Sequence, residues 1–205
     1  MKKIIIVCLL LLISFEIVEK VPAHSIKSIK DSLAVFENQE LSLKQAIELA
    51  HLSALKWDKN AQLLQAVNID LDKAEKSIGE NGKRKYWNID FGVPETNKIF
   101  LVTIHEGKIS QANDVTGKGD SPYPKEAFIK MEDINYDSSQ LLKKALKSGD
   151  IHPGKDWAKG YNFMLRKDTE TNIPIMLVIG WNIDQTKMKA AGFNVTTGEY
   201  IPPQN

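Results

Sequence analysis

The four histidines are the side chains of this sequence best suited to acid–base chemistry or metal binding at neutral pH. They are His24, His51, His105 and His152. Their spacing matches no metal-binding motif, and the H-E-x-x-H pattern of zinc peptidases does not occur. His51 falls within a predicted helix and is interpreted as a residue at the boundary between core and solvent. His105 lies beside a predicted turn and is interpreted as a solvated turn residue. We therefore expect no metal site and no catalytic histidine.

The sequence also lacks a motif for nucleophilic catalysis. No G-x-S-x-G pattern is present, and the one cysteine, Cys8, lies in an apolar N-terminal run. Ser121 lies between an aspartate and a proline in a stretch interpreted as a linker. We therefore expect that the protein is not an enzyme. An enzyme of unfamiliar type would need a cluster of polar residues in a cleft with perturbed pKa values.

Residues 114–120 combine glycines with acidic side chains. The run Gly117-Lys118-Gly119-Asp120 lacks the spacing and the Lys-Ser/Thr ending of a phosphate-binding loop. Asp114 and Asp120 could flank a calcium ion, but the ligand order of an EF-hand is missing. We expect no cofactor and no metal in this segment.

Aromatic side chains are the remaining candidates for function. Tryptophans fill helix–sheet cores as readily as they anchor partner proteins, so both roles stay open for each of the four. Trp87 and Trp181 lie on predicted strands, one in each half of the chain. Together with Tyr86 and Tyr161, they are our candidates for a partner-binding surface.

The N-terminus has the features of a cleaved export signal. Lys2 and Lys3 precede an apolar run over residues 4–15, which is short for a membrane span of about 20 residues. Small or β-branched residues at 21–23 suit cleavage after Ala23, which predicts a secreted or periplasmic protein without a stable membrane anchor. An uncleaved anchor is the alternative. A lipoprotein signal at Cys8 is disfavoured, because Val7 stands where a small residue is needed.

Cleavage would leave a chain with balanced charge. The whole chain has 27 basic and 26 acidic residues, and residues 1–23 contain three lysines and two glutamates, so 24 of each remain. Lys83-Arg84-Lys85 followed by Tyr86 resembles a surface for single-stranded nucleic acid. However, a net charge of zero gives no overall field that attracts nucleic acid. We expect no nucleic-acid partner and interpret the run as a turn that leads into a strand.

A faint internal repeat predicts the arrangement of the elements. Tyr86 and Glu95-Thr96-Asn97 recur 75 residues later as Tyr161 and Glu170-Thr171-Asn172, and an apolar stretch follows each copy. Such a repeat favours two copies of one small unit. The tripeptides are predicted to mark turns between equivalent strands. Alternation and turn residues predict strands over 63–71, 86–91, 99–104, 108–112, 161–167 and 173–183.

Each predicted unit begins with a helix. Ser42 and Gln45 form a capping-box pattern before a helical apolar face that continues to Trp57. Asp137 and Gln140 repeat this spacing before a shorter helix. The helix starts differ by 95 residues and the strands by 75, so the second unit is predicted to lack one strand.

The sequence thus predicts an α+β fold of two related units, each a helix packed on an antiparallel β-meander. The predicted organisation has five parts. They are a signal peptide over 1–23, a lead-in segment over 24–40 with a possible short helix, unit 1 over 41–115, a linker over 116–134 and a shortened unit 2 over 135–205.

This pattern resembles the PepSY family, in which a helix lies across an antiparallel meander. The run from Leu41 to Ala50 is similar to the family's helix start, and Thr197-Gly198-Glu199 is similar to its terminal turn. The tandem arrangement is similar to that of β-lactamase-inhibitor-type proteins. The resemblance implies an exported, non-catalytic binding module that acts on a peptidase or another envelope protein. A small-molecule or lipid carrier with a pocket between helix and sheet is the alternative.

Overall fold

The structure is a computed structural model that describes residues 36–69 and 77–202. The predicted signal peptide, most of the lead-in segment with its possible helix, and the end of the first predicted strand lie outside the described residues. In that part of the chain which the structure describes, no helix is both long and apolar enough to cross a membrane.

The described residues form two α-helices and ten strands. The helices are α1 (Leu43–Trp57) and α2 (Ser138–Leu146). The strands are β1 (Leu41–Ser42), β2 (Gln62–Asn68), β3 (Lys83–Arg84), β4 (Tyr86–Gly92), β5 (Ile99–His105), β6 (Lys108–Asp114), β7 (Asn162–Asp168), β8 (Ile173–Trp181), β9 (Met188–Asn194) and β10 (Tyr200–Ile201). The α+β class is confirmed, and β9 is a strand that the sequence did not predict.

Both helices begin at the capping boxes predicted from the sequence. The Ser42 side chain accepts a hydrogen bond from the Gln45 amide, and the Gln45 side chain accepts one from the Ser42 amide. Asp137 and Gln140 form the same reciprocal pair at the start of α2. These bonds satisfy backbone donors that have no partner within the helix.

Eight strands form one antiparallel sheet in the order β10-β9-β8-β7-β2-β4-β5-β6. Strand β2 lies in the middle and pairs with β4 on one side and with β7 on the other. The second meander (β7 to β10) therefore has no first strand of its own. It pairs with β2, which belongs to the first meander (β2, β4, β5 and β6). The short β1 and β3 pair separately.

The structure does not show two tandem units. The 75-residue offset relates Ile89 to Met164 and Val102 to Leu177. Ile89 and Val102 are fully buried in the core, whereas Met164 and Leu177 are half-buried on the opposite face. Because side chains alternate along a strand, an offset that exchanges the faces does not relate equivalent core positions. The two meanders also extend from β2 in opposite directions across the sheet.

The repeated tripeptides do lie where the repeat predicted them. Glu95-Thr96-Asn97 falls between β4 and β5, and Glu170-Thr171-Asn172 falls between β7 and β8. The left-handed residue differs, however: Glu95 has a positive φ in the first turn and Asn172 in the second. The match therefore marks two strand-to-strand turns of different local geometry.

One face of the sheet, the inner face, packs against α1 and α2. Large side chains from both meanders fill this layer, among them Trp87, Phe91 and Phe163, each fully buried. The predicted linker also contributes buried residues: Ile129 and Ile134 belong to this core, and Phe128 is buried beside Gly92. This segment is accordingly part of the folded body, and neither helix packs on the outer face of the sheet.

Candidate functional site

Strand β8 presents apolar side chains to both faces of the sheet. Met176 and Val178 face inward and are fully buried. The five alternating residues point to the outer face and remain partly exposed, and we call them the outer strip. They are Ile173, Ile175, Leu177, Ile179 and Trp181. Because an antiparallel strand with one solvated face normally alternates apolar with polar residues, the outer strip is an unusual surface.

The outer face is divided between an apolar and a polar half. Met164 of β7, Met188 and Ala190 of β9 and Ile201 of β10 surround the outer strip. The other half carries polar residues such as Thr103, whose hydroxyl donates a 2.8 Å hydrogen bond to the Asn88 side chain. The other half also carries the apolar side chains of Val67, Ile99 and Leu101, so the apolar character of the face is concentrated in the half built by β7 to β10, where it forms a continuous strip.

A groove runs beside the outer strip. Gly192 pairs with Leu177 on one side and with Ile201 on the other, so these three residues form one row across the sheet. The missing side chain at Gly192 leaves an open cleft of about 290 Å³, and Arg166 stands at its rim. Glycine inside a strand often marks a place where another chain or a ligand approaches the backbone closely.

A second open cleft of about 230 Å³ shares Arg166 with the first. It is lined by Gln65, Asp90 and Tyr123 among others. Burial raises the pKa of the Asp90 carboxyl, while a hydrogen bond from the Gln65 amide of 2.6 Å acts in the opposite direction. The two clefts together combine apolar walls with charged groups of both signs.

The outer strip ends at an exposed apolar corner formed by Trp157, Trp181 and Ile183. The Trp181 indole N–H donates to the Trp157 carbonyl oxygen at 3.1 Å, and the two rings meet edge to face at 5.9 Å. Trp157 is 61% exposed and Ile183 is 77% exposed. Exposed aromatic and aliphatic side chains of this size are typical anchors of protein interfaces.

Backbone and side-chain hydrogen bonds hold the loops of this apolar corner. Gly154 and Gly160 exchange two backbone hydrogen bonds of 2.9 and 2.8 Å. Gln185 joins the two loops by accepting from the Lys155 amide and donating to the Pro153 carbonyl oxygen. Gly160 has a φ of 74°, and a Cβ there would lie 1.9 Å from the Ile78 carbonyl oxygen. These contacts restrict the conformation of the loops that form the apolar corner.

The four predicted partner-binding residues do not form one surface. Trp87 is fully buried, and its indole N–H donates to the carbonyl oxygens of Leu41 and Arg84. Trp87 is therefore a core residue in this fold and cannot contact a partner. Tyr161 is also buried, with 7% of its surface exposed.

Tyr86 and Trp181 occupy the outer face. The Tyr86 ring stacks on His105 with 3.9 Å between the ring centroids, in the polar half of that face. Trp181 belongs to the outer strip. Of the predicted set, Trp181 alone lies in the apolar half.

The other chemical candidates have structural partners. Asp114 accepts hydrogen bonds from the Thr116 amide and the Trp57 indole. The Thr116 side chain, the Thr116 amide and the Trp57 indole, in that order, hold the pKa of the Asp114 carboxyl below the usual range. In the described ranges, no group of three or more potential metal ligands occurs. Arg84 is buried and donates to the carbonyl oxygens of Lys159 and Tyr161.

The outer strip was missed at the level of sequence, although a signal for it exists. The run of nine residues from Ile173 to Trp181 contains no polar side chain. Such a run is typical of a strand that is covered on both faces. Both described helices lie on the inner side of the sheet, so this run indicates an apolar outer strand face that neither helix covers.

Comparison with known proteins gives the fold and no family. No protein-family model matches the chain. No curated protein matches it either. The fold is similar to a crystal structure from Clostridium difficile 630 described as a "putative lipoprotein", with a TM-score of 0.54 and 10% sequence identity. The likeness covers 81% of this chain and 93% of that chain. At this level of identity it shows a shared fold, and the resemblance to the PepSY family stays a prediction.

Proposed function

We propose that this protein is an exported, non-catalytic binding module that docks another exported or envelope protein on the outer face of its sheet. The observation that carries the proposal is the outer strip: five apolar side chains in a row on a face that neither helix covers. Removing apolar surface from water is favourable by roughly 25 cal/mol per Å², and this gain opposes the entropic cost of association. A partner that covers the strip would gain this stabilisation.

Export is supported by one feature of the sequence and by one structural comparison. The chain begins with two lysines and an apolar run, as a signal peptide does. The Clostridium difficile protein of similar fold is described by a name that implies export and a lipid anchor. A role in modulating a peptidase rests on the PepSY resemblance alone.

The carrier alternative requires a cavity between the helices and the sheet. The cleft beside that layer, of about 320 Å³ and lined by His51 of α1 and Leu63 of β2 among others, is an open one. Trp87, Phe91 and Phe163 occupy that layer and are fully buried. We therefore place the binding surface on the outer face.

The test begins with the mature protein, starting after Ala23, immobilised and exposed to the secreted and envelope proteins of its source. Captured proteins are purified, and their dissociation constants are measured for wild type and for Leu177→Glu. A buried charge in the middle of the outer strip should weaken binding by about tenfold or more. Gln111→Glu is the matched control, because this exposed β6 residue lies in the polar half of the same face. We expect its effect to stay below about twofold.

Thermal unfolding of each variant establishes that the fold is intact. Equal affinity of wild type and Leu177→Glu for every captured protein would refute the proposal. Loss of binding by Leu177→Glu alone, with an unchanged fold, would support it.

A further inference from the structure

The groove at Gly192 has room for a side chain from another molecule. A Cβ placed on Gly192 would lie 3.4 Å from the Ile201 carbonyl oxygen and 3.6 Å from side-chain atoms of Ile175 and Leu177. These are ordinary van der Waals distances, so the groove floor accepts an added methyl group without displacement. The walls are the branched side chains of Ile175, Leu177 and Ile201. An apolar side chain is therefore the chemistry that fits the groove.

The rim of the groove carries a cation. Arg166 faces the outer side of β7, is exposed, and lines both clefts. Among residues 36–69 and 77–202, no carboxylate forms an ion pair with its guanidinium group. A guanidinium group presents a planar set of donors that matches a carboxylate.

Asp168 also lines the groove. Its Oδ1 accepts from the amides of Glu170 and Thr171 in the turn after β7, and hydrogen bonds in this turn, together with the charge of Arg166, lower the pKa of its carboxyl. Asp90, in the second cleft, is engaged by the Gln65 amide. Arg166 is thus the cation among the residues that line the groove, and no described carboxylate lies within ion-pair distance of it.

From this juxtaposition we infer that the groove receives an extended segment of the partner protein in which a carboxylate lies two residues after an apolar side chain, so that both side chains face the sheet. The apolar side chain packs between Leu177 and Ile201 above Gly192. The carboxylate accepts hydrogen bonds from Arg166. The inference rests on the proposed function and specifies how the outer face recognises its partner.

Short peptides test this recognition directly on the mature protein. The probe, called the Leu-Asp peptide, is N-acetyl-Ser-Leu-Ser-Asp-Ser-amide, and the matched peptides replace Asp with Asn (the Leu-Asn peptide) or Leu with Ala. Binding is followed by nuclear magnetic resonance shifts of the amides of Ala190 and Gly192 in labelled protein. We expect saturable shifts there, and a dissociation constant about threefold lower for Leu-Asp than for Leu-Asn, as for an exposed ion pair. Leu-to-Ala replacement should weaken binding further.

Two variants identify the groups involved. Arg166→Gln should abolish the preference for Asp over Asn while it preserves binding of the Leu side chain. Gly192→Val should fill the groove and weaken all three peptides, and thermal unfolding shows whether the variant is folded. Equal binding of the Leu-Asp and Leu-Asn peptides, or shifts that lie elsewhere, would overturn the inference. So would the absence of any shift at millimolar peptide.

The two proposals fail in different ways. If Leu177→Glu loses the captured partner but the peptides show no preference, the outer face binds protein by another chemistry and the inference is wrong. If Leu177→Glu retains the partner, the proposed function itself is wrong.

Discussion

Asp90 is a carboxylate held partly out of water on the outer face of the sheet. Burial disfavours its charged form and raises its pKa, and the hydrogen bond from Gln65 only partly opposes this effect. Between its ordinary value and the raised value, the folded protein binds more protons at this site than the unfolded chain does. The contribution of Asp90 to stability is therefore largest at low pH and is lost as the pH rises through the folded pKa.

We predict that Asp90→Asn removes this loss. Relative to wild type, the free energy of unfolding of the variant should increase as the pH rises from about 3 to about 7. Urea unfolding at a series of pH values measures the difference. Asp184→Asn is a control of opposite sign, because hydrogen bonds from Thr186 lower the pKa of Asp184. Parallel pH profiles of wild type and Asp90→Asn would contradict the prediction.

Residue identity alone did not separate core aromatics from surface aromatics. Trp87 and Trp181 were equivalent by sequence, since each lies on a predicted strand. Their positions differ because Trp87 faces the helices and Trp181 faces the uncovered side. Which face a strand residue occupies depends on the placement of the helices, and local sequence does not encode that placement.

The N-termini of the two helices meet and share their hydrogen-bonding groups. The Ser138 hydroxyl accepts from the Leu43 amide of α1 and donates to the Gly82 carbonyl oxygen. The carboxylate of Asp137 caps α2 and also accepts from the Lys44 amide of α1. The bonds from the Leu43 and Lys44 amides join residues more than 90 positions apart and fix the helices to each other.

We predict that Ser138→Ala destabilises the protein by about 1–3 kcal/mol, because it leaves a buried amide and a buried carbonyl oxygen without their partner. Ser139→Ala is the matched control. That hydroxyl donates to the Asn81 carbonyl oxygen at an exposed position, so its loss should cost less than about 0.5 kcal/mol. Chemical unfolding monitored by fluorescence gives both values. Equal effects of the two substitutions would show that the hydrogen bonds between the two helix N-termini contribute little to stability.

Element identity followed from the sequence wherever the signal was local. Both capping boxes, the two helices and the strands β4, β5, β7 and β8 were predicted within a few residues, since caps, turns and alternation act over short distances. Strand β9 was missed because its residues, Met188 to Asn194, lack alternation. The outer strip was missed for a related reason: exposure depends on what covers the sheet.

At the scale of the whole molecule, β2 makes the two meanders one body. Three residues of β2, Gln65 to Val67, pair with β7 as well as with β4. The next residue, Asn68, extends the contact between β2 and β7 through its side chain. It donates to the Asn162 side chain at 2.7 Å and accepts from the Phe163 amide at 2.5 Å. The sequence offset of 95 against 75 predicted a second unit that lacks one strand, whereas the structure shows one sheet in which β7 pairs with β2. It could not indicate that the first meander supplies the replacement.

This shared strand predicts cooperative unfolding. The mature protein should unfold in urea in one transition, with coincident curves from far-ultraviolet circular dichroism and tryptophan fluorescence. A fragment of residues 116–205 should show no cooperative transition, because β7 would lose its pairing with β2 and expose the buried side chains of Phe163 and Leu165. Two independently folding units would instead give a folded fragment and two transitions in the whole protein. That outcome would show that each meander is stable without the strand that the structure makes them share.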